Sequence, residues 1–175
     1  GDAEERGRGA GGNRESGMKE ARIPSSTYRL QFGRAMRFAD ARELVPYLHG
    51  LGVGDLYASP RYAARRGSTH GYDVTDPTRL NPELGDAADF DALVGAVHAR
   101  GMGILLDVVP NHMAASVENR WWRDVLENGQ ASPYARFFDI TWHPAWATLK
   151  NRVLLPILAE PYGRTLEAGE FQLRY

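Results

Sequence analysis

The sequence predicts an α/β protein that forms the first three β/α units of a (β/α)8 TIM barrel. From residue 23 onward, segments typical of strands alternate with segments typical of helices, which implies parallel strands joined by right-handed crossovers. Polar and aromatic residues concentrate where these strands end, and a barrel builds its site at the carboxyl ends of its strands. A whole barrel needs about 250 residues. This chain has 175 residues, so we expect it to be a piece of one.

Composition narrows the classes of partner and chemistry. The formal net charge is −1, so charge suggests neither a nucleic-acid partner nor a membrane-surface partner. The chain has no cysteine, which excludes disulfides, thiol catalysis and cysteine-ligated metal centres. No apolar run approaches the roughly 20 residues of a membrane span. A cytoplasmic protein is therefore the default expectation, and nothing predicts a protein partner.

The first elements are a tail and one β/α unit. Residues 1–22 are rich in glycine and charge and cannot bury enough surface to offset their ordering entropy, so a disordered tail is predicted. Residues 26–32 are predicted to form a strand, and residues 37–52 a helix with one apolar face. Pro46 lies inside this helix and should kink it or shift its start. The apolar face consists of Phe38, Ala41, Leu44, Val45 and Leu48.

The second unit begins with a predicted strand at residues 54–60. A polar loop follows at residues 61–85, and its Gly, Pro and Asn content argues against a regular element. Residues 86–101 have the clearest helical pattern, with Asp86 as the N-cap and Gly101 at the carboxyl end. The apolar stripe of this helix consists of Phe90, Leu93, Val94 and Val97.

The third predicted strand lies in GILLDVVPNH, residues 103–112, and is expected to be covered on both faces. Its branched apolar run is interrupted by Asp107 and stopped by Pro110, and Asn111 and His112 follow at once. The end of a central strand is a rigid support for polar groups that face a ligand. The carboxylate could hold a neighbouring donor, while the amide and imidazole could donate to hydroxyl groups. The alternative is a buried Asp and His that satisfy loop backbone.

A doubly wound sheet is the competing architecture. Its nucleotide-binding version usually has a glycine-rich turn after a strand, and none of the turns here has the spacing GxGxxG or GxxxxGK. The polar residues Gln31, Ser59 and Asp107 at the strand ends favour the barrel. After residue 112 the alternation stops, which indicates an excursion out of the barrel.

The excursion has its own pattern. Short strands are predicted at residues 152–158 and 170–175. Trp121 and Trp122 could offer a sugar-stacking surface, but aromatic residues in such a segment are more often part of a core.

A second polar cluster lies in the loop, in STHGYDVTDP at residues 68–77. The ring of Tyr72 could stack on the apolar face of a sugar, and His70 lies beside it. Carboxylates in the same loop could accept from the sugar hydroxyls. For Asp73 and Asp76, however, Asx-type turns are the better explanation.

Metal binding is not predicted. The five histidines show no paired spacing of the kind zinc sites use. Asp76, Asp107 and Asn111 could supply oxygens for calcium, but without the spacing of an EF-hand loop. No cofactor is predicted either.

Several blocks of the sequence, in order, resemble a known family. DVVPNH matches the first signature segment of the α-amylase superfamily of retaining glycoside hydrolases and transglycosylases, glycoside hydrolase family 13. More specifically, residues 23–175 resemble the maltooligosyltrehalose synthase family. The blocks that carry this resemblance are IPSSTYRLQF, LYASP, GSTHGYDVTDPTRLNPELG, LLDVVPNHMA, WWRDVLENGQASPYARFFDI and VLLPILAEPYG.

The resemblance implies a substrate, a reaction and a set of binding residues. The substrate would be a maltooligosaccharide or α-1,4-glucan, whose reducing-end α-1,4 bond becomes an α,α-1,1 bond within one molecule. Tyr72 would stack on the sugar in the −1 subsite, and His112 would bond the 6-hydroxyl of that sugar. Asp107 would orient an arginine beside the nucleophile, and Asn111 would shape the loop. His70 completes the expected substrate-binding set.

The same resemblance places the catalytic carboxyls elsewhere. Retaining chemistry needs two carboxyls about 5–5.5 Å apart, and in the superfamily they come from the fourth and fifth strands, expected beyond residue 175. No catalytic residue is therefore assigned here, and the chain is expected to be truncated and inactive alone. The predicted division is a tail at residues 1–22, three β/α units at residues 23–112, and the start of an inserted B domain at residues 113–175.

Two other functions remain open. A relative of α-amylase or 4-α-glucanotransferase would act by hydrolysis or by transfer between molecules. A non-catalytic glucan-binding fragment would require that this piece folds alone.

Overall fold

The computed structural model describes residues 22–155 and 157–172. The predicted disordered tail therefore lies outside the described residues, except for Arg22. That residue forms an ion pair with Asp55. The physical reason is that Asp55 is only 3% exposed, and a buried carboxylate requires a partner.

Five strands and four α-helices are present in the described residues. In chain order they are β1 (Thr27–Leu30), α1 (Phe38–Gly50), β2 (Asp55–Ala58), β3 (Tyr62–Ala64), β4 (Val74–Leu80), α2 (Ala87–His98), β5 (Gly103–Leu106), α3 (Arg120–Asn128) and α4 (Tyr162–Glu167). Three short 3₁₀ turns lie between α3 and α4, at Gly129–Ala131, Ala135–Phe137 and Ala147–Leu149. No helix in this part of the chain is long and apolar enough to cross a membrane.

The main sheet is parallel, with β1, β2 and β5 as neighbours in that order. The connections contain α1 and α2, as predicted for parallel strands joined by helical crossovers. The register aligns Arg29 with Tyr57 and Tyr57 with Leu105. Side chains alternate between the faces of a sheet, so Leu30 and Ala58, which neighbour them, lie on the opposite face.

The opposite face packs against α1 and α2 and forms the core. The buried residues of this core are Leu30, Phe32, Phe38, Ala41, Val45, Leu48, Leu56, Ala58, Leu84, Leu93, Val97 and Met102. The face that carries Arg29, Tyr57 and Leu105 is named the helix-free face here. The sheet therefore has one apolar side fixed by helices and one side free for other chemistry.

The two core helices begin where the sequence predicts. α1 starts at Phe38 and continues through Pro46, so the proline does not shift its start. The side chain of Asp86 accepts from the backbone N–H of Asp89 at the start of α2, which confirms the predicted N-cap. Gly101, just beyond α2, has a φ of 67°, a left-handed conformation that glycine adopts without steric cost.

Three predictions about regular structure are wrong. The loop at residues 61–85 contains β3 and β4, which pair antiparallel with an irregular register. Antiparallel pairing satisfies the backbone polar groups of this partly buried segment, which its polar composition does not reveal. In the described residues of 152–158 and 170–175 no strand forms, because an apolar run without a pairing partner is not a strand. Residues 156 and 173–175 lie outside the described residues.

The third predicted strand is also less buried than expected. Leu105 and Leu106 in β5 are 39% and 38% exposed, so the strand is not covered on both faces. The reason is its place in the sheet: among the described strands, β5 lies at the edge, with β2 as its neighbour.

Candidate functional site

The carboxyl ends of the three parallel strands bring polar side chains together. Ser59 donates its backbone N–H to Leu30 across 3.1 Å, and Asp107 donates its own to Ala58 across 2.9 Å, so the strand pairing continues past the regular elements. Gln31, Ser59 and Asp107 each lie two residues beyond a side chain of the helix-free face. Alternation therefore places all three on that face, as the barrel prediction required.

Asp107 is the centre of this group. Its Oδ2 atom accepts the hydroxyl of Tyr72 at 2.6 Å and the hydroxyl of Tyr57 at 3.1 Å. Its Oδ1 atom accepts no hydrogen bond from the described residues. The hydrogen bond to Asp107 raises the pKa of Tyr72 above its ordinary value, because the phenol proton is held by an anion. One carboxylate oxygen thus joins the ends of two strands to the loop.

Arg29 adds a positive charge beside the two tyrosines. Its Nη2 atom donates to the hydroxyl oxygen of Tyr72 at 3.3 Å, and its guanidinium carbon lies 5.7 Å from the ring centroid of Tyr57. The hydrogen bond to Tyr72 raises the pKa of Arg29. The sequence interpretation missed Arg29 and Tyr57. The sequence pattern that could have identified them is the alternation of side chains along a strand. It places Arg29 on the same face as Gln31, and Tyr57 on the same face as Ser59.

The loop is held against the strand ends by His70 and Gln31. The Nδ1 atom of His70 accepts the backbone N–H of Tyr72 at 3.0 Å, and the two rings are stacked at 5.9 Å with an interplanar angle of 24°. The side-chain amide of Gln31 donates to the carbonyl of His70 at 3.2 Å and lies 3.4 Å from the hydroxyl of Ser59. His70 therefore backs the Tyr72 ring, and its predicted contact with the substrate stays a prediction.

Asp73 and Asp76, both in the segment 68–77, accept hydrogen bonds from neighbouring residues. Asp76 accepts from the backbone N–H of Thr78 at 2.9 Å and from its hydroxyl at 2.6 Å, which confirms the predicted Asx turn. Burial opposes the charge of Asp76, but the bonds from Thr78 and the nearby Arg120 outweigh it and lower the pKa. Asp73 instead accepts the hydroxyl of Ser68 at 2.5 Å. No three His, Asp or Glu side chains in the described ranges are grouped as a metal site.

Asn111 and His112 contact each other and line a cleft. The Nδ1 atom of His112 is 3.1 Å from Oδ1 of Asn111, and both side chains are exposed. They line a cleft of about 840 Å³, to which several residues of the segment 137–154 also contribute. No hydrogen bond in the described residues joins this pair to Tyr72 or Asp107. Among the described residues, Asn111 and His112 are therefore not hydrogen-bonded to the other members of the predicted binding set.

Aromatic residues also line that cleft, among them Trp121, Trp122, Phe137 and Phe138. Trp121 stacks on Tyr134 and Phe137 at centroid distances of 5.4 and 5.0 Å. Trp122 is 8% exposed and packs on Phe138 at 5.0 Å. The prediction that these tryptophans are core residues is confirmed for Trp122, whereas Trp121 is only partly buried.

The catalytic-domain profile of the α-amylase family matches residues 41–163. Among curated relatives, a protein named maltooligosyl trehalose synthase in Mycobacterium tuberculosis is 47% identical over 140 residues, which are 76% of this chain and 18% of that protein. The α-amylase SusG of Bacteroides thetaiotaomicron is 41% identical over 98 residues, 56% of this chain and 13% of that protein.

The solved structures that resemble this chain include maltooligosyltrehalose synthases. The maltooligosyltrehalose synthase from Arthrobacter ramosus has a TM-score of 0.66 at 48% identity and matches 68% of this chain and 16% of its own. A second maltooligosyl trehalose synthase has a TM-score of 0.75 at 39% identity and matches 84% of this chain and 20% of its own. The chain therefore spans about a fifth or less of each of these relatives.

Proposed function

Because this chain belongs to the α-amylase family, we propose that the protein that carries it acts on α-1,4-glucans as a maltooligosyltrehalose synthase. Such an enzyme converts the reducing-end α-1,4 bond of a maltooligosaccharide to an α,α-1,1 bond within one molecule. The observation that carries the proposal is the length and identity of the match: 140 residues at 47% for the relative named a synthase, against 98 residues at 41% for the α-amylase.

Tyr72 would provide the surface on which a glucose ring stacks. Its hydroxyl is fixed by Asp107, and the stacked His70 covers one face of its ring. The other face is proposed to meet the sugar in the −1 subsite. Aromatic rings bind the apolar face of such ligands through buried area and dispersion.

Asp107 would orient a cationic group rather than attack the sugar. Both tyrosine hydroxyls occupy Oδ2, so Oδ1 remains as the acceptor for an arginine beside the nucleophile. The nucleophile and the acid/base are not assigned to this chain. A carboxylate held by two tyrosines suits positioning, because its orientation is already fixed before substrate arrives.

His112 and Asn111 would bind sugar hydroxyls from the cleft side. Their side chains are exposed and bonded to each other, so their remaining donors and acceptors can reach a ligand. The proposed inserted domain begins at residue 113, after which parallel β/α units give way to α3 and short turns. A cytoplasmic location remains a prediction.

The test is the fate of the reducing end. The protein expressed from the complete coding sequence that contains this chain is incubated with maltopentaose, and reducing ends and free glucose are measured. Loss of reducing ends without a change in chain length is expected. A rise in reducing ends would indicate an α-amylase, and a ladder of longer and shorter maltooligosaccharides would indicate a 4-α-glucanotransferase. The 175-residue chain alone is expected to leave the sugar unchanged, because retaining chemistry needs a carboxyl pair.

A further inference from the structure

Arg29 and Tyr57 lie side by side on the helix-free face, aligned in the register of β1 and β2. Both residues contact the group formed by Tyr72 and Asp107. Arg29 donates to the hydroxyl of Tyr72, and Tyr57 and Tyr72 both donate to Asp107. A cation and an anion are thus connected through two phenol groups.

We propose that Arg29, together with Tyr57, is a positioning residue that fixes the ring of Tyr72 and directs its hydroxyl proton onto Asp107. The value of this ring as a sugar-binding surface rests on the proposed function. Arg29 itself is not placed in contact with the sugar. It acts through Tyr72.

The hydrogen-bonding capacity of the groups supports this direction. A phenol hydroxyl has one proton to donate and lone pairs to accept, whereas a guanidinium only donates. The bond from Arg29 therefore occupies a lone pair of Tyr72, and the phenol proton is left for Asp107 at 2.6 Å. A hydroxyl bonded on both sides holds its ring more firmly than one bonded on a single side.

The bridge also explains why Arg29 does not pair with Asp107 directly. A bidentate ion pair would occupy both oxygens of the carboxylate. With two tyrosines between them, the charge of Asp107 is balanced across the phenols while Oδ1 accepts no bond from the described residues. Tyr57 contributes twice, since its hydroxyl reaches Asp107 and its ring lies beneath the Arg29 guanidinium. Such a cation–π contact restricts the long arginine side chain.

The first arm of the test uses no sugar. The chain is labelled with ¹³C in its tyrosine rings, and the Tyr72 resonances are identified by Tyr72→Phe. Arg29→Met is expected to move and broaden the Tyr72 ring resonances, and Arg29→Lys to move them less because the charge and one donor remain. Arg42→Met is the matched control: it removes the same charge from α1, where Arg42 pairs with Glu43, and should leave Tyr72 unchanged.

The second arm measures maltopentaose affinity in a double-mutant cycle, on the protein expressed from the complete coding sequence that contains this chain. Arg29→Met should weaken binding about fivefold, the equivalent of one net hydrogen bond. In the Tyr72→Phe background the same substitution should have no further effect, because the hydroxyl through which Arg29 acts is gone. A purely structural role for Arg29 would give the same loss in both backgrounds.

The outcomes separate the two proposals. The positioning role would be overturned if Arg29→Met left both the Tyr72 resonances and the melting temperature of the chain unchanged. Resonances that respond, together with a protein from the complete coding sequence that binds no maltopentaose, would support positioning and refute the glucan site. If Arg29→Met unfolds the chain, Arg29→Lys and Tyr57→Phe decide, since both should displace the Tyr72 resonances, and no displacement in either would overturn the role.

Discussion

The hydroxyl of Tyr72 donates to Oδ2 of Asp107 across 2.6 Å, although the two residues are 35 positions apart. This bond joins the long loop to the end of β5. The hydroxyl of Tyr57, from β2, reaches the same oxygen at 3.1 Å. Asp107 is therefore a structural junction as well as a proposed positioning group.

Substitution of Asp107 should lower stability because it removes the acceptor of two phenols. Asp107→Ala is expected to reduce the free energy of unfolding by about 1–3 kcal/mol, the cost of leaving partly buried hydroxyls unpaired. Asp107→Asn keeps an acceptor and should cost less. Thermal melts of both variants give the comparison, with Asp91→Ala on the exposed side of α2 as control. A melting temperature of Asp107→Ala equal to that of the control would contradict the junction.

Substitution of His112, unlike that of Asp107, should affect turnover and leave stability almost unchanged. It is exposed and its one hydrogen-bond partner in the described residues is Asn111, so His112→Ala should change the free energy of unfolding by no more than about 0.5 kcal/mol. In the enzyme from the complete coding sequence, the same variant should lower kcat and kcat/KM together, since a bond to the −1 sugar would strengthen in the transition state. Full turnover combined with early melting would make His112 a structural histidine.

Two glycines should respond with opposite signs to replacement by alanine. At Gly103 an added Cβ would overlap the carboxylate of Asp55 and the guanidinium of Arg22, so Gly103→Ala should break their ion pair and destabilise the chain by about 1–3 kcal/mol. At Gly95, inside α2, an added Cβ meets nothing within 4 Å. Gly95→Ala should stabilise the chain by about 0.5–1 kcal/mol, the helix preference of alanine over glycine. Urea unfolding of both variants measures the two effects, and equal signs would refute the close approach at Gly103.

The lowered pKa of Asp76 predicts how the stability of the folded chain changes at acidic pH. Its pKa in the folded chain is below the ordinary value of 3.8, so the folded state favours the ionised carboxylate. The stability it contributes is therefore complete above that ordinary value and is lost as the pH falls through the lower folded value. Asp76→Asn should melt earlier than the parent at pH 7, and the difference should shrink below about pH 3.5. A difference that stays constant down to pH 2.5 would show that Asp76 does not titrate as described.

The regular part of the fold was predictable because its signals are local. Periodic apolar residues gave α1 and α2, and the side chain of Asp86 marked the start of α2. By contrast, β3 and β4 lie in a segment with many polar residues, glycines and prolines, and they pair with an irregular register. The apolar run around Leu154 predicted a strand, but Leu154 is 74% exposed. Pairing partners cannot be inferred from hydrophobicity alone.

The candidate site was predictable only in part, for a similar reason. Asp107 and Tyr72 attract attention as polar or aromatic residues next to a strand end or in a loop. Arg29 and Tyr57 lie within strands, where a charged or aromatic residue is easily taken for an ordinary surface or core position. Their contact with each other depends on the register of β1 and β2. That register comes from the packing of the sheet against its helices, which no short segment encodes.

The proposed glucan site at the carboxyl ends of the strands is tested most directly by mapping maltopentaose with NMR on the isotopically labelled protein from the complete coding sequence. Both ends of the sheet are available for comparison, since Asp55 and Gly103 lie at the amino ends of β2 and β5. The resonances of Gln31, Tyr72 and Asp107 should shift on titration, while those of Asp55 and Gly103 should not. Shifts confined to the amino ends, or no shift of Tyr72 at saturating sugar, would contradict a glucan site at this edge of the sheet.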